Sequence, residues 1–273
     1  MKIGVVIASS RFTRERARAV EAWFAANIPD GSISVVFHPA CFLKHGHFAG
    51  DDHARAEAFI EFANDPRIDA VWFGRGGYGS CRIAEAVVPR LTAAARKKPY
   101  MGYSDAGSLL AALYKAGFPH LAHGPMASDT LRSDATAWRA LNWFTRRDPA
   151  SLEPSLLEDP RPAVAFNLTI IDQLVGTALE PDLSGHVLML EEVSEALYRV
   201  DRMMFHLTGQ DSIRKVAGIR LGRVSDVTPN DPDFGQTPEE IVRYWCLRSG
   251  IPYLGPADIG HDAANRIVPF GKR

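Results

Sequence analysis

An α/β fold built on a parallel sheet is what this 273-residue chain predicts, on three observations. Short apolar runs alternate with longer amphipathic stretches between Lys2 and Gly117. The runs are apolar throughout rather than at every second residue, as strands are when helices cover both faces of a sheet. Serine- and glycine-rich segments follow several of the runs directly, at the strand ends where such sheets build their sites.

The elements follow in order. "KIGVVIAS" reads as a buried first strand, too short to span a membrane and passing into polar Ser9-Ser10-Arg11 without a cleavage signal. Then come helix "RERARAVEAWFAANI", strand "SISVVF", helix "DDHARAEAFIEFAND", strand "IDAVWFG", helix "SCRIAEAVV", strand "PYMGY" and helix "SLLAALYKAG". This is the alternation of a doubly wound unit. Past Arg132 the pattern weakens into a Trp-containing helix and the Pro- and charge-rich "RRDPASLEPSLLEDPRPA". A linker over about 146–162 is therefore expected between an N-terminal domain (1–150) and a C-terminal domain (163–273). The second half carries strands "AVAFNLTII", "GHVLMLEE" and "VAGIRLGRV" with helices "EALYRVDRMMFHLTG" and "TPEEIVRYWCLRSG", which we read as a mixture without regular βαβ alternation.

Composition narrows the function. Lys+Arg 31 against Asp+Glu 32 gives a net charge of -1, without the basic footprint of a nucleic-acid or anionic-membrane binder. A small-molecule partner is expected. Cys41, Cys81 and Cys246 form no CxxC pair and are odd in number, which suits a reducing compartment and disfavours structural zinc or a disulfide framework. A cytoplasmic protein is the expectation.

Several segments have the residues for chemistry. "YMGYSDAG" turns from strand to helix with Ser104 at the corner, which would expose its hydroxyl beside free helix amides. Ser104 and Asp105 are equally ordinary helix N-caps. "GRGGYG" (Gly74 to Gly79) matches a dinucleotide fingerprint, but it follows a later strand than usual and lacks the acid about 20 residues on. The same glycines would serve to bring backbone N–H groups up to a developing oxyanion, or simply to make a tight turn. His45, His47, Asp51, Asp52 and His53 are metal-ligand types without metal-site spacing, and Asp51 to His53 look like a helix start. Cys81 opens a helix, whose dipole would lower its thiol pKa. Glu191-Glu192 end the strand "GHVLMLEE", where they serve a site or favour the following helix, and His261 lies in a loop before the last strand. In sequence order Ser104, a carboxylate and His261 supply nucleophile, orienting acid and general base.

The blocks "AGDDHARAEAF", "DPRIDAVWFGRGGYGSCRI", "MGYSDAGSLLAAL", "HGPM", "LMLEEVSEALYRVDRMMFHL" and "GHDAANRIVPFG" run in order along nearly the whole chain. In them the chain resembles the LD-carboxypeptidases, the serine peptidase family of muramoyltetrapeptide carboxypeptidases and microcin-immunity hydrolases. The resemblance implies an N-terminal Rossmann-like parallel-sheet domain with a smaller C-terminal β-rich α/β domain, the site lying between them. It implies Ser104 as nucleophile, His261 as base and Glu191 as its orienting carboxylate, with Glu192 left as a helix-start or surface acid. The Asp105 N–H and a glycine of Gly76-Gly77 would form the oxyanion hole. Arg75, Tyr78 and Arg82 are candidate substrate contacts. One departure is the "AFNL" of Ala165 to Leu168, where the family usually has "GGNL". The expected function is hydrolysis of an amide between an L-centre and a terminal D-amino acid, such as D-Ala of a murein tetrapeptide, without cofactor or metal and in a homodimer. The alternatives are a microcin-type peptidyl-nucleotide hydrolase, a nucleotide-binding protein using "GRGGYG", and a non-catalytic ligand binder.

Overall fold

The computed structural model describes residues 1–272. The first half runs β1 (Lys2–Val6), α1 (Arg14–Asn27), β2 (Ser34–Phe37), α2 (Asp52–Asn64), β3 (Ala70–Phe73), α3 (Cys81–Val87), α4 (Ala93–Arg96), β4 (Tyr100–Gly102), α5 (Gly107–Lys115), β5 (Leu121–His123) and α6 (Asp134–Arg146). Helix starts follow from local chemistry: the side chains of Thr13, Asp51 and Ser133 accept backbone N–H groups in the first turns of α1, α2 and α6. At the other end of α2, the buried Lys98 ammonium donates to the Phe62 carbonyl at 3.0 Å and to the Asp65 carbonyl at 2.5 Å.

Strands β3 and β4 are wholly buried, consistent with helices on both faces. Strands of this half pair in the order β2-β1-β3-β4-β5, all parallel to one another. In that order the chain reverses direction across the sheet between β1 and β3, opening a crevice at their carboxyl ends. The loops after β1 (Ser9, Ser10), β3 (Gly74 to Gly79) and β4 (Ser104) meet there. Strand β5 escaped the sequence reading, because "LAH" is three residues long and bounded by histidines.

The second half continues as β6 (Ala163–Asn167), α7 (Leu168–Leu174), β7 (Val187–Val193), α8 (Leu197–Gly209), β8 (Gly218–Ser225), α9 (Pro238–Ser249), β9 (Tyr253–Pro256) and β10 (Val268–Pro269). Strands β6 to β9 form a four-stranded parallel sheet in sequence order. The irregular mixture expected from sequence is thus a regular βαβ alternation. The misreading came from "AFNLTII", whose β-branched residues hid the start of α7, where the Asn167 side chain accepts the Ile170 N–H. The start of α9 is fixed by a capping box, Thr237 and Glu240 exchanging side-chain bonds with each other's amides.

The two sheets are joined in two ways. The chain end returns to the first sheet, where β10 pairs antiparallel with β5 at Val268↔His123. Apolar contacts also run through both halves: Phe166 of β6 packs edge-on to Phe270 at 5.1 Å, and a Cβ on Gly107 would stand 3.3 Å from the Phe166 ring. The "AFNL" departure is therefore core at Ala165, Phe166 and Leu168, each 1% exposed, behind the start of α5. No helix among the described residues is long and apolar enough to cross a membrane.

Candidate active site

The turn after β4 places Ser104 at φ +56°, a left-handed conformation that a non-glycine residue adopts at a cost of about 1–3 kcal/mol. Gly102 precedes it because a Cβ there would meet the Phe73 side chain at 2.7 Å. Ala106, at the position where a standard nucleophile elbow has glycine, lies at φ −58° and tolerates its methyl. The N-cap alternative does not hold: neither Ser104 nor Asp105 caps α5, whose first turn has no side-chain cap. The Asp105 carboxylate instead crosses to the Gly-rich loop, accepting the Gly79 N–H at 3.1 Å and the Ser80 N–H at 2.9 Å. Burial pushes the Asp105 carboxyl above its ordinary value, and these amides oppose that.

Gly76 sits against the serine, since a Cβ on it would come within 2.8 Å of Ser104 Oγ. Gly77, at φ +136°, instead abuts Ser10, with a hypothetical Cβ 2.4 Å from its Oγ. No hydrogen bond among the described residues uses the Gly76 or Gly77 N–H. The loop therefore offers free donors beside Ser104, and its Gly76 and Gly77 allow close approach to serines.

Opposite lies His261. Its Nδ1 is 2.5 Å from Glu191 Oε2, and the Glu191 side chain is fully buried while that of His261 is 13% exposed. Burial acts to lower the imidazole pKa, but the hydrogen bond and charge of Glu191, with Glu192 and Asp129 behind it, outweigh this and leave it raised. The His261 ring packs on Tyr103, the residue before Ser104, with centroids 4.8 Å apart. Ser104 Oγ makes no hydrogen bond to His261 among the described residues.

Glu192 is neither a surface acid nor a start signal for the following helix. It is 2% exposed and accepts from Asn167 Nδ2 (2.7 Å), Thr169 N (2.8 Å), Thr169 Oγ1 (2.7 Å) and its neighbour Val193 N (2.8 Å). It anchors the first turn of the preceding helix, α7. Arg75 is half-buried, with Nε on the Gly76 carbonyl at 3.1 Å and no carboxylate partner among the described residues. Arg82 is committed elsewhere, paired with Asp52 at 2.8 Å and lying over Phe48. Tyr78 is 47% exposed near His47 and Phe48. In the "HGHFAGDDH" segment His47 meets Ser10 Oγ at 3.0 Å, Asp51 caps α2 and Asp52 pairs with arginines, so these side chains do not converge. The Cys81 thiol is raised rather than lowered, by burial and then by the Asp105 charge, so the helix-dipole expectation is overturned.

Sequence reasoning missed the groups that hold the His261 loop. Arg132 Nη1 donates to the His261 carbonyl at 2.6 Å and is paired through Nε with buried Asp129 at 2.9 Å. Arg223 bridges Asp258 at 2.6 Å and Asp262, one on each side of the histidine. His123, fully buried and pushed down to about 3 by desolvation and then by the charge of His261, packs edge-on to the Tyr103 ring at 5.5 Å. Only the "HGPM" block had singled His123 out.

A family model described as the LD-carboxypeptidase N-terminal domain matches residues 3–124, and one described as the LD-carboxypeptidase C-terminal domain matches residues 162–273. A putative carboxypeptidase of Synechocystis is 29% identical over 98% of this chain and 89% of its own length. The murein tetrapeptide carboxypeptidase of Pseudomonas aeruginosa is 28% identical over 84% of this chain and 79% of its own. Among solved structures, muramoyltetrapeptide carboxypeptidase from Oxalobacter formigenes superposes with a TM-score of 0.81 at 22% identity, covering 99% of this chain and 93% of that one. The microcin C7 self-immunity protein MccF, in complex with aspartyl sulfamoyl adenosine, gives 0.81 at 19% identity over 99% and 91%.

The burial of Glu192 changes what its replacement should do. In Glu192→Gln an amide NH2 would face donors, leaving buried groups unpaired at about 1–3 kcal/mol. Thermal unfolding should show a clear drop in midpoint; an unchanged midpoint would mean that this network does not stabilise the fold.

Proposed function

Since the chain belongs to the LD-carboxypeptidase family and is a serine peptidase of that class, we propose that Ser104 is its nucleophile, His261 its general base and acid, and Glu191 the carboxylate that orients the imidazole. The observation that carries this reading is the Glu191–His261 hydrogen bond, which joins residues 70 positions apart. It fixes the proton on Nδ1 and leaves Nε2 as the acceptor for the Ser104 proton. Free of substrate, such nucleophile–base contacts are often long and tighten only in the Michaelis complex.

The reaction follows from these roles. Neutral His261 takes the Ser104 proton as Oγ attacks the carbonyl carbon of the L-centre. The tetrahedral oxyanion is met by the Asp105 N–H and by the N–H of Gly76 or Gly77. His261 then gives its proton to the leaving amine, the C–N bond breaks and the D-amino acid departs, leaving an ester on Ser104. Water, deprotonated by His261, hydrolyses the ester and restores the serine. The names of the Pseudomonas and Oxalobacter proteins support a murein tetrapeptide as substrate, with D-Ala released. Arg75 is the better candidate for the terminal carboxylate, because Arg82 already has Asp52. Free thiols at all three cysteines accord with a cytoplasmic setting, and a homodimer is the family expectation.

The direct test is mass spectrometry of murein tri-, tetra- and pentapeptides after incubation with wild type, Ser104→Ala and Cys81→Ala. Tetrapeptide ending in D-Ala should lose it, and the diastereomer ending in L-Ala should not be cleaved. Ser104→Ala should lose around 10⁶-fold in kcat, as comparable triads do, while Cys81→Ala behaves as a packing change. Equal rates on both diastereomers would remove the LD-peptidase reading. Cleavage of aspartyl sulfamoyl adenosine in place of the tetrapeptide would favour the microcin-type alternative.

The pH dependence carries a sign. Activity needs neutral His261, so kcat/KM should fall as pH drops through the free enzyme's imidazole pKa, which lies above the reference value of 6.5. Glu191→Gln removes the main group that raises it and leaves burial to lower it. The acid limb should move to lower pH while kcat falls by about 10⁴-fold, the cost of the equivalent change in a serine protease. An acid limb at the same pH in both proteins would show that Glu191 does not act on His261.

A further inference from the structure

The oxyanion site proposed above is assembled from two segments, the loop Gly74 to Ser80 and the elbow Tyr103 to Ala106. No backbone-to-backbone hydrogen bond joins them among the described residues. Glycines at φ +136° on positions 77 and 79 have little intrinsic preference to hold the loop in one shape. Side chains tie it to the elbow instead. From the elbow, the Asp105 carboxylate accepts the amides of Gly79 and Ser80, while the Ser80 hydroxyl donates back to the Asp105 carbonyl. From the other side, Arg55 Nη1 donates to the Gly79 carbonyl at 3.0 Å and to the Ala8 carbonyl just past β1.

Both polar groups of Gly79 are thus held, its N–H by Asp105 and its C=O by Arg55 together with the Arg82 N–H at 3.2 Å. Neither flanking peptide unit can rotate without breaking a bond. Arg55 and Ser80 are both 0% exposed. The guanidinium lies over Phe48 at 4.5 Å and reaches Asp52 with Nη2, and its Nε is buried without a partner among the described residues. A planar fork serves three acceptors here, which a lysine ammonium on a single flexible stem would not reproduce. An ion pair with Asp52 alone would need neither carbonyl and would leave the cation at the surface.

On the reading that this loop and the elbow form the oxyanion hole, we propose that Arg55 and Ser80 are its positioning residues, a clasp that closes through the Asp105 carboxylate and holds the two donor segments in one geometry. Among the described residues, neither clasp side chain hydrogen-bonds a triad side chain. Its loss is therefore felt where donor placement matters, in the transition state, rather than in ground-state binding.

The test uses full-length Ser80→Ala and Arg55→Lys, with kcat, KM and the pH profile measured on the murein tetrapeptide and thermal midpoints alongside. Removing a whole oxyanion donor costs about 10²–10³ in kcat, and loosening one should cost at least about tenfold. KM should stay within about threefold and the acid limb should not move, since neither residue contacts His261. A normal kcat in both folded variants overturns the proposal, and so does a rise in KM with kcat unchanged. If Arg55→Lys does not fold, Ser80→Ala, which deletes one hydroxyl, decides alone. Ser104→Ala run in parallel keeps the two readings apart. Activity retained there overturns the nucleophile assignment itself, whereas an inactive Ser104→Ala beside fully active clasp variants overturns only the clasp.

Discussion

The arrangement depends on one buried contact, the hydrogen bond from His261 to Glu191. Glu191 lies near the end of β7, a central strand of the second sheet, is fully buried, and has Oε1 without a partner among the described residues. A carboxylate so placed is costly unless paired, and removing the partner of a buried charge costs about 3–5 kcal/mol. The imidazole is the partner that meets its Oε2, so the chain must deliver His261 to that point. It does so by sending its last residues back to the first sheet, where β10 pairs with β5, and by gripping the loop before β10 with Arg132 and Arg223. The fold at large and the protonation of one ring are coupled in this way.

The opposing wall is organised by strain. Ser104 in the left-handed region stores about 1–3 kcal/mol, which persists only where the surroundings over-determine the turn. They do so here. Gly102 lets the strand close on Phe73, Gly76 lets the loop touch the hydroxyl, and Asp105 ties the elbow to Gly79 and Ser80. Packing behind the elbow, Gly107 against Phe166 and Ile170, carries the constraint into the second sheet. A residue at the start of α5 is thus fixed by both halves, although only the first half contributes it.

Much of the fold was legible because its strands are unbroken apolar runs and a helix start is recognisable at Asp51 to His53. The failures have physical causes. Strand β5 is too short to show a period, and the first turn of α7 holds Thr169, Ile170 and Ile171, whose β-branched side chains favour a strand until Asn167 is seen to cap the helix. At the site, the sequence order of Ser104, a strand-end acid and His261 was readable, and the family resemblance pointed to the first of the two glutamates as the acid facing the histidine. What Glu192 does was not readable, because its partners lie on another strand and the helix that follows it. Arg55, Asp129, Arg132 and Arg223 were equally hidden: a charged residue on a helix or loop reads as surface until the fold reveals what it is buried against.

The measurement that bears most directly on this account is the titration of His261 itself, by nuclear magnetic resonance of ring-labelled histidine in wild type and in Glu191→Gln. Wild type should show an Nδ1–H shifted far downfield and a pKa above 6.5, and the variant should lose that resonance and titrate lower. A His261 that titrates at the same pH in both proteins would contradict the account, since the buried pair on which the site is built would then not exist.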